Sequence, residues 1–406
     1  MSSSPEIDRR RILIFEPDAE GHSQEWLEHL MTFVAVQGAG TEICLLIPRK
    51  LRAPLGRSIP DGAADRIRLL ELSRMEERLC TMRPLALAAF ARWWTMRRHL
   101  KRNAARSGFF LTVDLLCLPL ALGLGFGGAS VSGILFRPSV HYGELGRYVP
   151  SLTENLRDLR KAVLYRLMLR NRCLSRVFSL DPFFPAHARA SYPRGDKVET
   201  LPDPAHLPAE LPGTPSASDD FVPPGRVGFL LFGYLAERKG PLAILDALSK
   251  LSPSTAARVA VLLAGKVDPA LRQRLERKFL ELTHQRPELW LRIDDRRLAG
   301  GELAGLVRRS DVVLAPYQRF VGSSGVLLWA ARAGRPVLAQ EFGLVGRLTR
   351  DHGLGVAVDS SDSSQLARGI ARMVELGPTT FIDRAAARRF TEAQSPQRFA
   401  SLVLSM

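Results

Sequence analysis

Short apolar runs alternate along most of the chain with longer stretches whose apolar positions recur every three or four residues. The run at 11–16 is followed by a polar loop, a helical pattern over 24–36 and a second strand pattern over 41–47. Strand, loop, helix and strand in that order predict the βαβ unit of a doubly wound parallel sheet. The segment 109–136 adds a strand at 111–116, a buried helix at 119–124 and a strand at 131–136. Residues 152–174 read as an amphipathic helix and 177–180 as a short strand.

A second alternation begins at 227. Strands are expected at 227–232, 258–264, 289–293, 312–315, 337–339 and 355–358. Helices fall at 241–251, 269–284, 301–309, 325–333 and onward from 363. Between the two halves, residues 181–225 hold ten prolines and a Ser-Asp-rich stretch, a composition that opposes both helix and sheet. The pattern predicts two α/β domains, each a doubly wound Rossmann-like sheet. The first covers 1–200, the linker proper 201–225 and the second 226–385. A C-terminal helix at 386–406 is expected to pack back on the first. In open parallel sheets ligands bind beyond the carboxyl ends of the strands, so the expected site is a cleft where the two domains face each other.

Composition narrows the classes. The 406 residues carry 57 Lys and Arg against 41 Asp and Glu, a net charge of +16, with an apolar share of 46% and a mean hydropathy of −0.02. That apolar share excludes wholesale disorder. Cys44, Cys80, Cys117 and Cys173 stand too far apart for a disulfide scaffold or a zinc site, and no metal motif appears. The cysteines read as buried thiols of a cytoplasmic protein.

No secretory signal is visible at the start, and 109–136 is too interrupted by Asp114, Pro119 and glycines to span a bilayer. The positive charge points first to nucleic acid, but no basic motif interleaved with aromatics supports it, so nucleic acid is disfavoured. Residues 85–106 place Trp93 and Trp94 beside Arg92, Arg97, Arg98, Lys101 and Arg102. That mixture suits an interfacial helix on an anionic membrane surface, or an ordinary surface helix whose tryptophans pack on their own domain.

Four strand-to-helix loops carry candidate chemistry. The first holds Glu20, Gly21 and His22; His22 is the candidate catalytic or substrate-contacting residue and Gly21 allows close ligand approach. The second runs from Gly233 to Gly240 and places Arg238 and Lys239 before a helix, where cations and free amides suit a diphosphate. The third is Gly265, at a strand end. The fourth ends in Ser323, Ser324, Gly325 and Val326, a helix start whose amides form a phosphate cradle. Gly123, Gly125 and Gly128 have dinucleotide-fingerprint spacing but no acidic residue at the required distance.

The second half resembles a glycosyltransferase of the GT-B fold, similar to the family-four group of retaining enzymes. The matching stretches are Phe232-Gly233-Tyr234-Leu235 to Lys239-Gly240, residues 310–317, residues 325–339 and Gly353-Leu354-Gly355. The likeness is specific over 227–370 and looser in the first half, through Glu20-Gly21-His22 and residues 201–204.

The resemblance implies a nucleotide-sugar donor on the second domain and a carbohydrate or lipid-linked acceptor on the first. It also implies a retaining, metal-independent transfer in polysaccharide or glycolipid synthesis, with no cofactor. Lys239 matches the family's diphosphate-contacting lysine. Tyr234 stands where the family has an arginine, and Val321 and Trp329 stand where it has two glutamates. A catalytically inactive GT-B binder or scaffold, and a nucleotide-sugar epimerase, are the rival readings.

Overall fold

Four consecutive apolar side chains of β1 (Arg10–Phe15) are buried, alternately on two faces. Leu13 and Phe15 join one core and Ile12 and Ile14 another, as the two-residue period of a strand requires. A strand apolar on both faces needs cover on both, and parallel sheets supply it with crossover helices. The computed structural model describes residues 10–19, 23–37, 40–146, 150–205, 207–208, 222–320, 322 and 324–405. The chain divides into one unit of Met1–His141, Pro150–Pro204 and Ser395–Met406 and another of Tyr142–Val149 and Ala205–Gln394.

In the first unit β1 is followed by α1 (Ser23–Val36), β2 (Thr41–Ile47), α2 (Arg49–Arg57), β3 (Ile67–Glu71), α3 (Arg74–Thr81) and α4 (Leu85–Arg102). Then come β4 (Ser107–Phe110), α5 (Cys117–Ala121), β5 (Ser130–Ile134), α6 (Leu152–Met168), β6 (Leu174–Ser179), α7 (Phe184–Ser191) and β7 (Val198–Thr200). The seven strands are parallel in the order β3-β2-β1-β4-β5-β6-β7. The second unit holds β8 (Val227–Phe232), α8 (Pro241–Ser249), α9 (Pro253–Ala256), β9 (Val259–Ala264), α10 (Pro269–Gln285) and β10 (Trp290–Asp294). It continues with α11 (Gly300–Arg309), β11 (Val312–Ala315), α12 (Gly325–Arg332), β12 (Val337–Gln340), α13 (Gly343–Asp351), β13 (Gly355–Val358), α14 (Ser363–Leu376) and α15 (Arg384–Ala393). Its six strands are parallel in the order β10-β9-β8-β11-β12-β13. These are two doubly wound α/β sheets. The last helix, α16 (Pro396–Leu404), belongs to the first unit.

Several expected boundaries are corrected. The strand expected at 111–116 lies at 107–110, and 114–116 is a 3-10 turn. The Ser-Gly start disguised it, and Gly108 faces α4 so closely that a Cβ would lie 2.4 Å from the Met96 methyl. The helix expected to reach 174 stops at Met168, and β6 begins at Leu174. The proline-rich stretch contains α7 and β7. Pro185 sits in the first turn of α7, where a missing N–H costs nothing, and Pro193 follows its end. The single C-terminal helix is two, α15 and α16. Strand β3 and helices α2, α3, α9 and α13 had no sequence expectation.

Apolar residues of α16 complete the first unit. Phe399, Ala400, Val403 and Leu404 enter the core that holds Ile12, Trp26, Leu27 and Leu30, with the Phe399 ring 5.2 Å from Trp26. No described helix is long and apolar enough to cross a membrane.

Candidate functional site

In the second unit the loops expected to carry chemistry converge beyond the carboxyl ends of β8, β9, β11 and β12, which are adjacent in the sheet. Strand β8 ends at Phe232, and the chain turns at Gly233, whose φ is +94°. Gly233 N–H donates to the Ala264 carbonyl at 2.9 Å, and Gly265 N–H donates to the Asp294 carbonyl at 2.9 Å. Gly265 has φ +136°, and a Cβ there would lie 2.0 Å from the Gly233 oxygen. The second and third loops are thus locked together by glycine.

Residues Glu237–Lys239 form one 3-10 turn that delivers the chain to Gly240 and α8. The turn folds Lys239 back under the strand end. Its Nζ donates to the Phe232 carbonyl at 2.6 Å and lies 5.8 Å and 5.9 Å from the Phe232 and Tyr317 ring centroids. Burial, aided by the neighbouring Arg238 charge, pushes the ammonium down to about 8. A desolvated, underpaired cation of this kind gains most from an incoming anion. Arg238 is exposed, with its guanidinium 5.1 Å from the Phe320 ring, and its carbonyl accepts from Gln318 N–H at 2.7 Å.

The loop from β11 to α12 packs against this turn. Ser324 caps α12, its side chain accepting from Val326 N–H, while the Tyr317 hydroxyl shares a 2.7 Å hydrogen bond with the Ser324 hydroxyl. Gly325 and Val326 open α12 as expected. Trp329 stacks on Phe232 at 5.5 Å and 28°. Val321 and Ser323 lie outside the described residues, as do Glu20, Gly21 and His22. The structure therefore brings together Gly233, Arg238, Lys239, Gly265, Ser324, Gly325 and Val326.

Sequence reasoning missed the loop from β12 to α13. Gln340, fully buried, donates through Nε2 to the carbonyls of Phe320 and Phe342 and ties this loop to its neighbour. Gly343 has φ +67° at the start of α13. Gly343 and Gly346 were the available signal: a Cβ on Gly346 would lie 2.2 Å from the Glu341 oxygen.

The first unit holds a separate cavity of about 390 Å³ beyond the ends of β1, β4 and β5, lined by Glu16, Asp18, Trp26, Asp114, Phe136 and Arg137 among others. Trp26 stacks on Phe136 at 5.3 Å. Glu16 is buried, its Oε1 accepts from Asp18 N–H at 2.8 Å, and burial pushes its carboxyl up to about 7. Asp114 is also raised by burial, although its carboxylate accepts from Phe136 and Arg137 N–H. Neither acid was singled out from the sequence as catalytic, since a strand-end acid carries no spacing signal.

Elsewhere in this unit, the tryptophan-bearing helix α4 spends part of its expected interfacial chemistry internally. Trp93 Nε1 donates to the Gly125 carbonyl at 3.1 Å. Buried Arg92 bonds the Cys80 carbonyl at 2.8 Å and Asp18 at 3.1 Å. Asp294 ends β10, and Asp295 just beyond it accepts from Val267 N–H at 2.9 Å and pairs with Lys266 and Arg272. Among the described residues no three His, Cys, Asp or Glu side chains converge as a metal site would require.

Residues 226–375 match the family model "Glycosyl transferases group 1". The whole chain resembles solved glycosyltransferases in fold. A glycosyltransferase from Rickettsia africae aligns with TM-score 0.69 and 16% identity over 98% of this chain and 97% of its own. HepE of Anabaena, solved with UDP and glucose, aligns with TM-score 0.65 and 15% identity over 98% and 99%. WaaG, a glycosyltransferase involved in lipopolysaccharide biosynthesis, aligns with TM-score 0.65 and 15% identity over 97% and 100%. No curated protein matches the chain in sequence.

Proposed function

We propose that this chain, whose residues 226–375 form a group 1 glycosyl transferase domain within a GT-B fold, moves a sugar from a nucleoside-diphosphate donor to a hydroxyl acceptor. The observation that carries the reading is Lys239. It is a half-buried ammonium held at the carboxyl edge of a parallel sheet, beside Arg238 and the capped start of α12. Departure of the diphosphate leaves negative charge on its terminal oxygens. On this reading Lys239, Arg238 and the open start of α12 would meet that charge, and charges and dipoles set in advance lower such a barrier.

The reading needs no bound metal for this charge, because protein cations and helix amides meet it. The complex of HepE with UDP and glucose supports a nucleotide-sugar donor. The cavity at Glu16 suits the acceptor, with carboxyls to accept sugar hydroxyl protons and the Trp26–Phe136 pair to face an apolar ring surface. Retention of anomeric configuration and a role in polysaccharide or glycolipid synthesis belong to the same reading.

Trp329 favours a second reading. Its ring packs on Phe232 at a position where the resemblance expects a carboxylate, which suits a protein that binds the donor without transferring it.

Titration calorimetry with UDP, GDP and ADP and their sugars tests both. One nucleoside diphosphate is expected to bind, and Lys239→Ala to weaken it by ~1.5–3 kcal/mol, the range for a hydrogen bond to a charged group, at unchanged melting temperature. No binding by any of them overturns the proposal. Binding without turnover or donor hydrolysis selects the second reading.

A further inference from the structure

The first unit carries an apolar stripe that its own core does not use. On α6, Leu152, Leu156, Leu159, Val163 and Leu167 are each between 40% and 87% exposed. Their steps of four, three, four and four residues keep all five on one face. The other face does the packing, with Tyr165 and Met168 buried and Ala162 and Leu164 against the same core. The stripe extends about 22 Å along the helix. Contiguous exposed apolar surface of this kind marks an interaction site rather than ordinary scatter.

The surrounding charges decide what covers it. Arg160 and Arg166 flank the stripe and Arg170 follows the helix end. All three are exposed, and none pairs with a carboxylate among the described residues. The acids of α6 are occupied: Glu154 closes the capping box with Ser151, and Asp158 accepts from the Ser139 hydroxyl at 2.6 Å. Neighbouring α4, which packs on α5 as α6 does, exposes Leu85, Leu87 and Trp94 with Lys101 and Arg102. A second copy of the chain fits poorly, because an isologous pairing sets one cationic flank against another.

We propose that α6 docks on an anionic lipid surface, its axis in the headgroup plane, with the five apolar side chains inserted and the arginines at the phosphates. The helix, rather than the tryptophan-bearing α4 alone, is then the membrane contact of the first unit. The proposal is independent of the donor reading and is tested without nucleotide.

Co-sedimentation with phosphatidylcholine vesicles, with and without phosphatidylglycerol, reads it out. Wild-type protein is expected to bind only the anionic vesicles. Leu156→Ser/Leu159→Ser and Arg160→Gln/Arg166→Gln should each weaken binding by about tenfold or more, at unchanged melting temperature. An environment-sensitive dye at Val163→Cys should shift to the blue on anionic vesicles, while one at Leu376→Cys, exposed in the second unit, should not. Absence of vesicle binding, binding undiminished by the leucine substitutions, or equal dye shifts at both positions overturns the proposal.

Discussion

Glu16 shows how much one position constrains. It is the first residue past β1, buried beside Asp18 in the cavity that Asp114 also lines, and its carboxyl is held up to about 7. A folded pKa above the unfolded one means that the native state holds the proton more tightly. The contribution to stability is then fully present at low pH and lost as pH rises through the unfolded value towards 7. On raising the pH from 4.5 to 7.5, Glu16 should therefore cost the first unit up to ~3 kcal/mol. Urea titrations across that range should show the slope in wild type and a flatter one in Glu16→Gln. An equal slope in both would show that the carboxyl does not titrate there. Lys239 is the counterpart in the second unit, a cation rather than an acid held partly out of water.

At the scale of elements, regular alternation was legible and punctuation was not. The second alternation was read nearly to the residue, because β8, β9 and β11, and β12 up to Gln340, are apolar runs in a sheet buried on both faces. Strand β4 was displaced because its Ser-Gly start resembles a turn, while in the fold Gly108 packs against α4. Helix α7 was lost among prolines that its first turn tolerates. In the candidate site, the loops of Lys239 and Ser324 stood out in the sequence, through their cations, glycines and cap. Gln340 and Glu16 did not, because burial and the partners across a loop give them meaning. The Gly233–Gly265 lock makes a specific claim. Gly265→Ala places a Cβ against the Gly233 oxygen in a backbone region closed to alanine, and should destabilise the second unit by ~1–3 kcal/mol and weaken nucleoside diphosphate binding. Gly334→Ala, with φ +64° and open space around it, should cost only about 1 kcal/mol and leave binding unchanged. Urea unfolding and calorimetry on both variants check this.

For the whole molecule, the division into units does not follow chain order. The first unit gathers Ser395–Met406 from beyond the second. Deleting 395–406 uncovers Trp26 and its core neighbours, so scanning calorimetry should show the first unit's transition lowered and the second unit's unchanged. Two unchanged transitions would show that α16 contributes nothing. The net charge of +16 also gains a partial address, in the uncompensated arginines along α6 and the pair at the sheet edge of the second unit.

The same closing helix sets a schedule for synthesis. A ribosome adding 5–20 residues each second needs roughly 10–40 s to pass from the end of β7 to α16, the time in which the second unit emerges and folds. Through that interval the core that holds Trp26 lacks Phe399, Ala400, Val403 and Leu404. Its maturation is thus timed by translation of the segment that follows it.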